Sequence, residues 1–130
     1  MTVSRAGTLF MSAVVLCASG CGDSHEAITR DMLNTQKELG TILEGVKDET
    51  SAQAAVPRVQ AIADRLQALK KRSDTLGPAP AEIRGALQVK YQQDIQDATY
   101  AVRQSFARID PLYALQLQDA LNITPSIPGN

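Results

Sequence analysis

Three long stretches of the chain repeat apolar residues every three or four positions, a spacing that places them on one face of an α-helix. The stripe of the first stretch has one polar member and comprises Ile28, Met32, Thr35, Leu39, Ile42 and Val46, widened by Leu33 and Leu43. Ser24 is a good N-cap residue, and Glu26 stands in the first turn, where the helix dipole favours an acid. We therefore expect a first helix over about residues 24–48, with Gly40 and Gly45 inside it.

The second stripe comprises Ala52, Val56, Val59, Ile62, Leu66, Leu69 and Leu76. Two starts are compatible with it. The pattern Thr50-Ser51-Ala52-Gln53 matches a capping box and predicts a start near Ser51, so that Pro57 lies inside the helix and kinks it. Alternatively, the helix begins at Val56 with Pro57 in its first turn. Gly77-Pro78 ends the helix in either case.

The third stripe is the longest and comprises Ile83, Leu87, Tyr91, Ile95, Ala98, Val102, Phe106 and Ile109. Its helix is expected to start near Pro80. Asp110-Pro111 interrupts the pattern and begins a short fourth helix over about residues 111–121, because aspartate is a good N-cap and proline fits the first helical position. Residues 123–130 contain two prolines and a glycine and are interpreted as a loose tail.

These stripes predict an all-α domain over residues 24–122: an up-down-up three-helix bundle with a short fourth helix after Pro111. The aromatic content of 4% and the absence of tryptophan leave a core of aliphatic residues and alanine, which suits helix packing better than a β-sandwich. A long coiled coil between chains is the main alternative. Gly40, Gly45 and Pro57 favour the bundle, because each interrupts a continuous helix.

The first 20 residues follow a different pattern. Residues 1–5 contain one basic side chain, residues 6–16 are almost entirely apolar, and small residues follow. This order is typical of a secretory signal peptide. The apolar run is shorter than the roughly 20 residues that a membrane-spanning helix needs, and a buried core helix is the competing interpretation.

The sequence Ala18-Ser19-Gly20-Cys21 resembles the lipobox of bacterial lipoproteins. The resemblance implies cleavage between Gly20 and Cys21, a diacylglycerol on the Cys21 sulfur, and acylation of the new amino terminus. Residues 1–20 would then be a cleaved signal peptide and residues 21–23 a lipidated tether. The expected location is a bacterial cell membrane, with the domain facing the periplasm or the exterior. Gly22, rather than aspartate, follows the lipidated cysteine, which favours the outer membrane in a Gram-negative source.

The chain has two cysteines, and the lipobox interpretation accounts for both. Cys17 leaves with the signal peptide, and Cys21 becomes a thioether. The competing interpretation is a Cys17–Cys21 disulfide, which would close a loop of only four residues inside an apolar segment. The lipobox interpretation leaves no free thiol for a disulfide or a metal site.

Little in the sequence indicates catalysis, so we expect no enzyme activity and no cofactor. The single histidine, His25, is expected to be solvated, and the chain lacks the Glu-x-x-His pattern of metal-binding bundles. Asp94 and Asp97 share a helix face and could hold a weak cation, although solvated surface charge is the more common role of such a pair. A formal net charge of −1 gives no basic excess for nucleic acid.

Two function classes remain. The first is a membrane-anchored envelope protein that acts without catalysis, through contacts with another envelope protein or as a structural component. The alternative is a binding module that holds a lipid or a small apolar ligand in or beside the bundle. Frequent alanines in the second stretch suggest close helix approach and favour the first class.

Two surfaces are candidates for these contacts. The tether of Gly22 and Asp23 reaches only about 10 Å, so Lys70, Lys71 and Arg72 near the end of the second helix are predicted to face lipid phosphates. The competing interpretation is a solvated basic run that only compensates the helix dipole.

The second candidate surface is on the fourth helix. Its core-facing stripe is predicted to be Tyr113, Leu117, Ala120 and Leu121. Leu112 and Leu115 fall off this stripe and are predicted to form a partner surface at the end of the bundle away from the membrane. In the competing interpretation the helix folds back and buries both of its sides.

Overall fold

The computed structural model describes residues 24–122 and shows an all-α fold with a bundle-like packing of its helices. Within these residues the four helices are α1 (His25–Glu44), α2 (Glu49–Leu76), α3 (Ala81–Arg108) and α4 (Pro111–Asn122). Helix α1 packs against both α2 and α3, and α4 packs against α2. The predicted bundle with a short fourth helix after Pro111 is confirmed.

Helix α1 begins as predicted and ends earlier than predicted. The Ser24 hydroxyl accepts a hydrogen bond from the Ala27 N–H at 3.0 Å, which satisfies one free donor of the first turn. The helix ends at Glu44 rather than near residue 48, and Gly45 is its C-cap. Val46 is still buried against the core although it lies beyond the helix. Because Val46 continues the apolar spacing, the sequence pattern does not show that the helix ends before it.

Helix α2 begins at Glu49, close to the first predicted start near Ser51 and with Pro57 inside it, but the predicted capping residues are wrong, and so is the alternative start at Val56. Asp48 is the N-cap, and its carboxylate accepts a hydrogen bond from the Ser51 N–H at 2.8 Å. The Ser51 hydroxyl in turn accepts from the Asp48 N–H at 3.0 Å, which completes a capping box. Pro57 lies inside the helix on its exposed face. The carbonyl that loses its N–H partner there lies on a side of the helix that water can reach.

The boundaries of α3 and α4 agree with the sequence. Pro80 is the N-cap position of α3. At the start of α4, the Asp110 carboxylate accepts a hydrogen bond from the Leu112 N–H at 2.9 Å. Pro111 is the first residue of α4, where its missing N–H costs no helical hydrogen bond.

The core lies mainly toward one end of the bundle. We call the end where α1 begins and α2 joins α3 the proximal end, and the end where α1 joins α2 and α3 joins α4 the distal end. The main cluster of buried residues joins α1, α2 and α4 and comprises Leu39, Ile42, Leu43, Val46, Ala52, Ala55, Val59, Ile62, Ile109, Leu117 and Ala120. A smaller cluster nearer the proximal end comprises Leu33, Tyr91 and Ala98.

Four residues of the predicted stripes are more exposed than core positions would be: Met32, Leu76, Ile83 and Ile95. The reason is the length of α4, which has 12 residues where α3 has 28. Helix α4 therefore covers the space between α2 and α3 only in the distal half of the bundle. In the proximal half the inward faces of α1 and α3 have no fourth helix against them.

Candidate functional site

The proximal end brings the start of α1 together with the α2–α3 connection. The Tyr91 hydroxyl of α3 donates a hydrogen bond of 2.9 Å to the Glu26 carboxylate of α1, and the Lys90 ammonium bonds to the same oxygen. One hollow at this end is lined from all three helices by residues that include His25, Ser73 and Arg84. A tether at residues 21–23 would therefore attach beside the turn that joins α2 to α3.

The contacts between Glu26, Lys90 and Tyr91 shift the pKa values of Glu26 and Lys90. The hydrogen bond from Lys90, reinforced by the one from Tyr91, lowers the pKa of the Glu26 carboxyl below its ordinary value of 4.5. The same contact with Glu26 raises the pKa of Lys90 above 10.5. Both side chains are well exposed, so solvent screens the interaction. The ion pair joins α1 to α3 at the surface. Its two groups are not arranged to transfer a proton into a cavity.

The three basic residues predicted to contact the membrane do not form a uniform patch. Arg72 donates to the Asp31 carboxylate of α1 at 3.1 Å, and Lys70 pairs with Asp74 at 3.2 Å. Lys71 is exposed and is the residue of the three for which no carboxylate contact is found within residues 24–122. The run also stands four or more residues before the end of α2, whose last turn contains no basic residue. The predicted compensation of the helix dipole at that end is therefore wrong.

Apolar side chains at the proximal end add to this surface. Leu76 closes α2 and Ile83 lies in the first turn of α3, and both are exposed. The turn between them contains Pro78 and Pro80, which are exposed as well. The spacing of Leu76 and Ile83 continues the buried stripes and therefore predicted core positions for both. A stripe that runs to the tip of a helical hairpin cannot be told from a core stripe by spacing alone.

Helix α4 shows the two faces expected of it. Leu117 and Ala120 are buried, and Tyr113 and Leu121 pack against the same cluster. Leu112 and Leu115 lie off this stripe and are 63% and 59% exposed. The two leucines are three residues apart, so they are neighbours on one turn of the helix surface. If α4 buried both of its sides, Leu112 and Leu115 would be buried, and they are not.

An apolar groove lies between α2 and α3 in the middle of the bundle, over residues 29–39 of α1. Its volume is about 410 Å³, and it continues into the hollow at the proximal end, with which it shares Thr29, Met32 and Ile95. We call it the α2–α3 groove. The floor of the groove on α1 includes Met32, Leu33 and Leu39. Its walls are Leu66, Ile95 and Val102, and Leu121 of α4 lies at its distal end.

The apolar spacing alone does not reveal this groove, although the sequence contains a signal for it. The fourth stripe is less than half as long as the third, so a fourth helix could cover only part of the third. The groove is an apolar volume of the kind that the binding-module alternative requires. Met32 at 44% exposed and Ile95 at 38% are the residues that an occupant would cover.

Other candidate chemistry is sparse in the described part of the chain. Residues 24–122 contain no group of three or more metal-ligating side chains. Asp97 accepts a hydrogen bond from Gln93 at 2.8 Å, and Asp94 is exposed, as expected for surface charge. The Ser105 hydroxyl is buried and meets no hydrogen-bond partner within the same residues. An unpaired buried hydroxyl of this kind costs about 1–3 kcal/mol.

The signal peptide of residues 1–20, the cleavage and lipidation at Gly20 and Cys21, and the tail of residues 123–130 lie outside the described residues. Within residues 24–122 no helix is long and apolar enough to cross a bilayer. Comparison with known proteins gives no match: no family model, no curated protein and no solved structure is similar to this chain.

Proposed function

We propose that this chain is a small lipoprotein of the bacterial envelope, anchored in a membrane through acylated Cys21, that binds another envelope protein without catalysis. The proposal rests on the exposure of Leu112 and Leu115. Both are large apolar side chains that stay exposed on a helix whose other face packs against the core. Exposed neighbouring leucines are a feature that protein contacts use, since their burial removes apolar surface from water.

The position of this pair supports the proposal. Leu112 and Leu115 lie in the first half of α4, which begins at the distal end beside the α1–α2 connection. The tether would attach at the opposite end, next to Ser24. A chain anchored in this way presents the two leucines away from the bilayer, where a second envelope protein can reach them.

The proximal end supplies the matching membrane contact. Lys71 and the exposed apolar residues Leu76 and Ile83 lie toward the proximal end, where the proposed tether would attach. Apolar side chains enter the interface while ammonium groups meet lipid phosphates, an arrangement common to membrane-surface proteins. The short tether keeps this end within about 10 Å of the acyl chains.

Crosslinking in intact cells with the variant Leu115→Glu tests the protein contact. The matched control is Gln116→Glu, which adds the same charge to the neighbouring exposed position of α4. The proposal expects Leu115→Glu to lose the crosslinked partner while Gln116→Glu keeps it, with both melting temperatures within a degree or two of the wild type. An unchanged crosslink in Leu115→Glu would contradict the proposed surface. A drop of several degrees would place Leu115 in the core.

A further inference from the structure

The α2–α3 groove and the hollow at the proximal end form one continuous space whose polarity changes along its length. The lining of the groove is apolar apart from Thr29 and Gln36. The hollow, into which the groove opens, adds the polar side chains of His25, Ser73, Arg84 and Gln88. The space is therefore apolar along the groove and polar at its proximal end.

The polar end of this space contains a positive charge and no negative charge. No aspartate or glutamate is among the described residues that line the groove or the hollow. Arg84 is permanently charged, and no carboxylate contact is found for its side chain within residues 24–122. The Glu26 and Asp31 carboxylates of α1 pair with other cations, Lys90 and Arg72. An anionic group in the hollow would therefore meet a guanidinium and no carboxylate of the lining.

The dimensions of the space suit a single acyl chain with a headgroup. Along α1 the groove and the hollow run from Leu39 to His25, which is about 21 Å at the rise of an α-helix. One acyl chain spans about 15 Å, because two leaflets share a hydrocarbon core of roughly 30 Å. The remaining length leaves room for a headgroup at the polar end. The groove volume of about 410 Å³ is also typical of a small-molecule site.

Two apolar side chains lie where the groove meets the hollow and are left partly uncovered. Met32 is 44% exposed and Ile95 is 38% exposed, although both continue the apolar stripes of their helices. An acyl chain placed against them removes apolar surface of both the protein and the ligand from water. Methionine adapts well to such a chain, because its side chain is unbranched and has three rotatable bonds.

We propose that the α2–α3 groove binds a single-chain anionic amphiphile, either a fatty acid or a lysophospholipid. The acyl chain lies against Met32 and Ile95, and the negative headgroup lies in the hollow at Arg84. The Ser73 hydroxyl and the Gln88 amide supply further hydrogen-bond donors for the oxygens of such a headgroup. This inference depends neither on the lipid anchor nor on the partner surface of α4.

Isothermal titration calorimetry with monomeric myristate tests the chain-binding part of the site. The protein is residues 21–130 carrying Cys21→Ser, which has no cysteine and so no attached diacylglycerol. Myristate should bind, and Met32→Gln/Ile95→Asn should weaken its affinity about tenfold because apolar contact is lost. The control Val89→Asn/Tyr100→Gln alters α3 side chains that are 82% and 65% exposed and line neither space, so it should bind as the parent does.

Two results of this titration would overturn the proposal. The first is the absence of myristate binding by the parent Cys21→Ser chain. The second is equal affinity of Met32→Gln/Ile95→Asn and the parent chain. Melting temperatures of the groove variant and the control variant should agree within a few degrees, which separates a lost site from a lost fold.

A second set of titrations tests the headgroup. Arg84→Gln should weaken myristate binding severalfold, whereas Arg103→Gln removes the same charge from an exposed position of α3 outside both spaces and should not. Tetradecyltrimethylammonium, whose chain is equally long and whose headgroup is positive, should bind about tenfold more weakly than myristate. Equal affinity for these two probes, or equal effects of the two arginine variants, would overturn the proposal of an anionic ligand.

A third probe distinguishes the two sources of the ligand. Lysomyristoylphosphatidylglycerol has the same acyl chain as myristate and a phosphate instead of a carboxylate. Tighter binding of this probe than of myristate assigns the site to a lysophospholipid, and weaker binding assigns it to a fatty acid. Both results support the proposal provided that Arg84→Gln weakens the tighter ligand, and an unchanged affinity in that variant would contradict it.

Discussion

At the scale of single residues, Glu26 is the clearest link between sequence and a solution property. It was identified from sequence only as a favourable acid in the first turn of α1. The structure adds Lys90 and Tyr91 from α3, whose chain positions are more than 60 residues away. No local pattern contains that pairing, because it arises from the register in which α1 and α3 pack.

The pairing predicts a dependence of stability on pH. Because the pKa of Glu26 is lower in the folded chain than its ordinary value of 4.5, the ionised carboxylate stabilises the fold above that pH. The contribution is lost as the pH falls through the lowered pKa. Because the pKa of Lys90 is raised above 10.5, its contribution is present below that pH and is lost as the pH rises through the raised value.

The variant Glu26→Gln checks this prediction. Glutamine at this position keeps the size of the side chain and an acceptor oxygen but cannot ionise. Urea denaturation should show the wild type more stable than the variant at about pH 7, with the difference shrinking at about pH 3. A difference that stays the same at both pH values would show that Glu26 does not titrate in the pair.

At the scale of the elements, the boundaries were predicted well where the signal is a residue that cannot continue a helix. Pro80 and Pro111 are such residues, Asp110 adds the cap of α4, and α3 and α4 begin where these residues indicate. The α1–α2 boundary was missed because Val46 continues the apolar spacing beyond the helix end. The true capping box pairs Asp48 with Ser51 instead of ending in glutamate or glutamine, so the usual pattern does not reveal it.

Alanine substitutions at two glycines test the helix boundaries, because they should change the free energy of unfolding in opposite directions. Gly85 lies inside α3, and beyond its chain neighbours and the adjacent helix backbone a methyl group added there would meet no atom within 4 Å. Gly85→Ala should raise the free energy of unfolding by about 0.5–1 kcal/mol, because alanine loses less conformational entropy in a helix. Gly77 ends α2 at a φ of 83°, which favours glycine. Gly77→Ala should lower the free energy of unfolding by about 1–3 kcal/mol.

Urea denaturation of both variants at one pH measures the two changes. The alanine added is the same, so the sign depends only on the backbone conformation at each position. Equal shifts in the same direction would contradict the assignment of Gly85 to a helix interior and of Gly77 to a helix end.

At the scale of the whole molecule, the fold class followed from three long stripes, but the distribution of burial did not. The stripe of α3 predicted that Ile83 and Ile95 are core residues, and both are exposed. Spacing shows which face of a helix is apolar, whereas the coverage of that face depends on the lengths of the other helices. The exposure of Leu112 and Leu115 could be anticipated, because a 12-residue helix docked on one side leaves its other side outside.

The proposed orientation of the molecule at a membrane gives a further prediction. Lys71 lies toward the proximal end of α2, and Lys47 lies in the α1–α2 connection at the distal end. In the Cys21→Ser chain, Lys71→Glu should weaken sedimentation with anionic vesicles, since a basic residue near such a surface contributes about 1 kcal/mol. Lys47→Glu changes the net charge equally and should bind as the parent chain does. Equal losses in both variants would contradict the proposed orientation.

The central claim is that Cys21 anchors the bundle to a membrane, and fractionation of cells that express cysteine variants tests it most directly. Wild type and Cys17→Ser should both be found in the membrane fraction at the same mobility, because the proposal has Cys17 removed with the signal peptide. Cys21→Ser should be released into the soluble fraction or remain uncut at higher apparent mass. Identical fractionation and mobility of the wild type and Cys21→Ser would contradict the account.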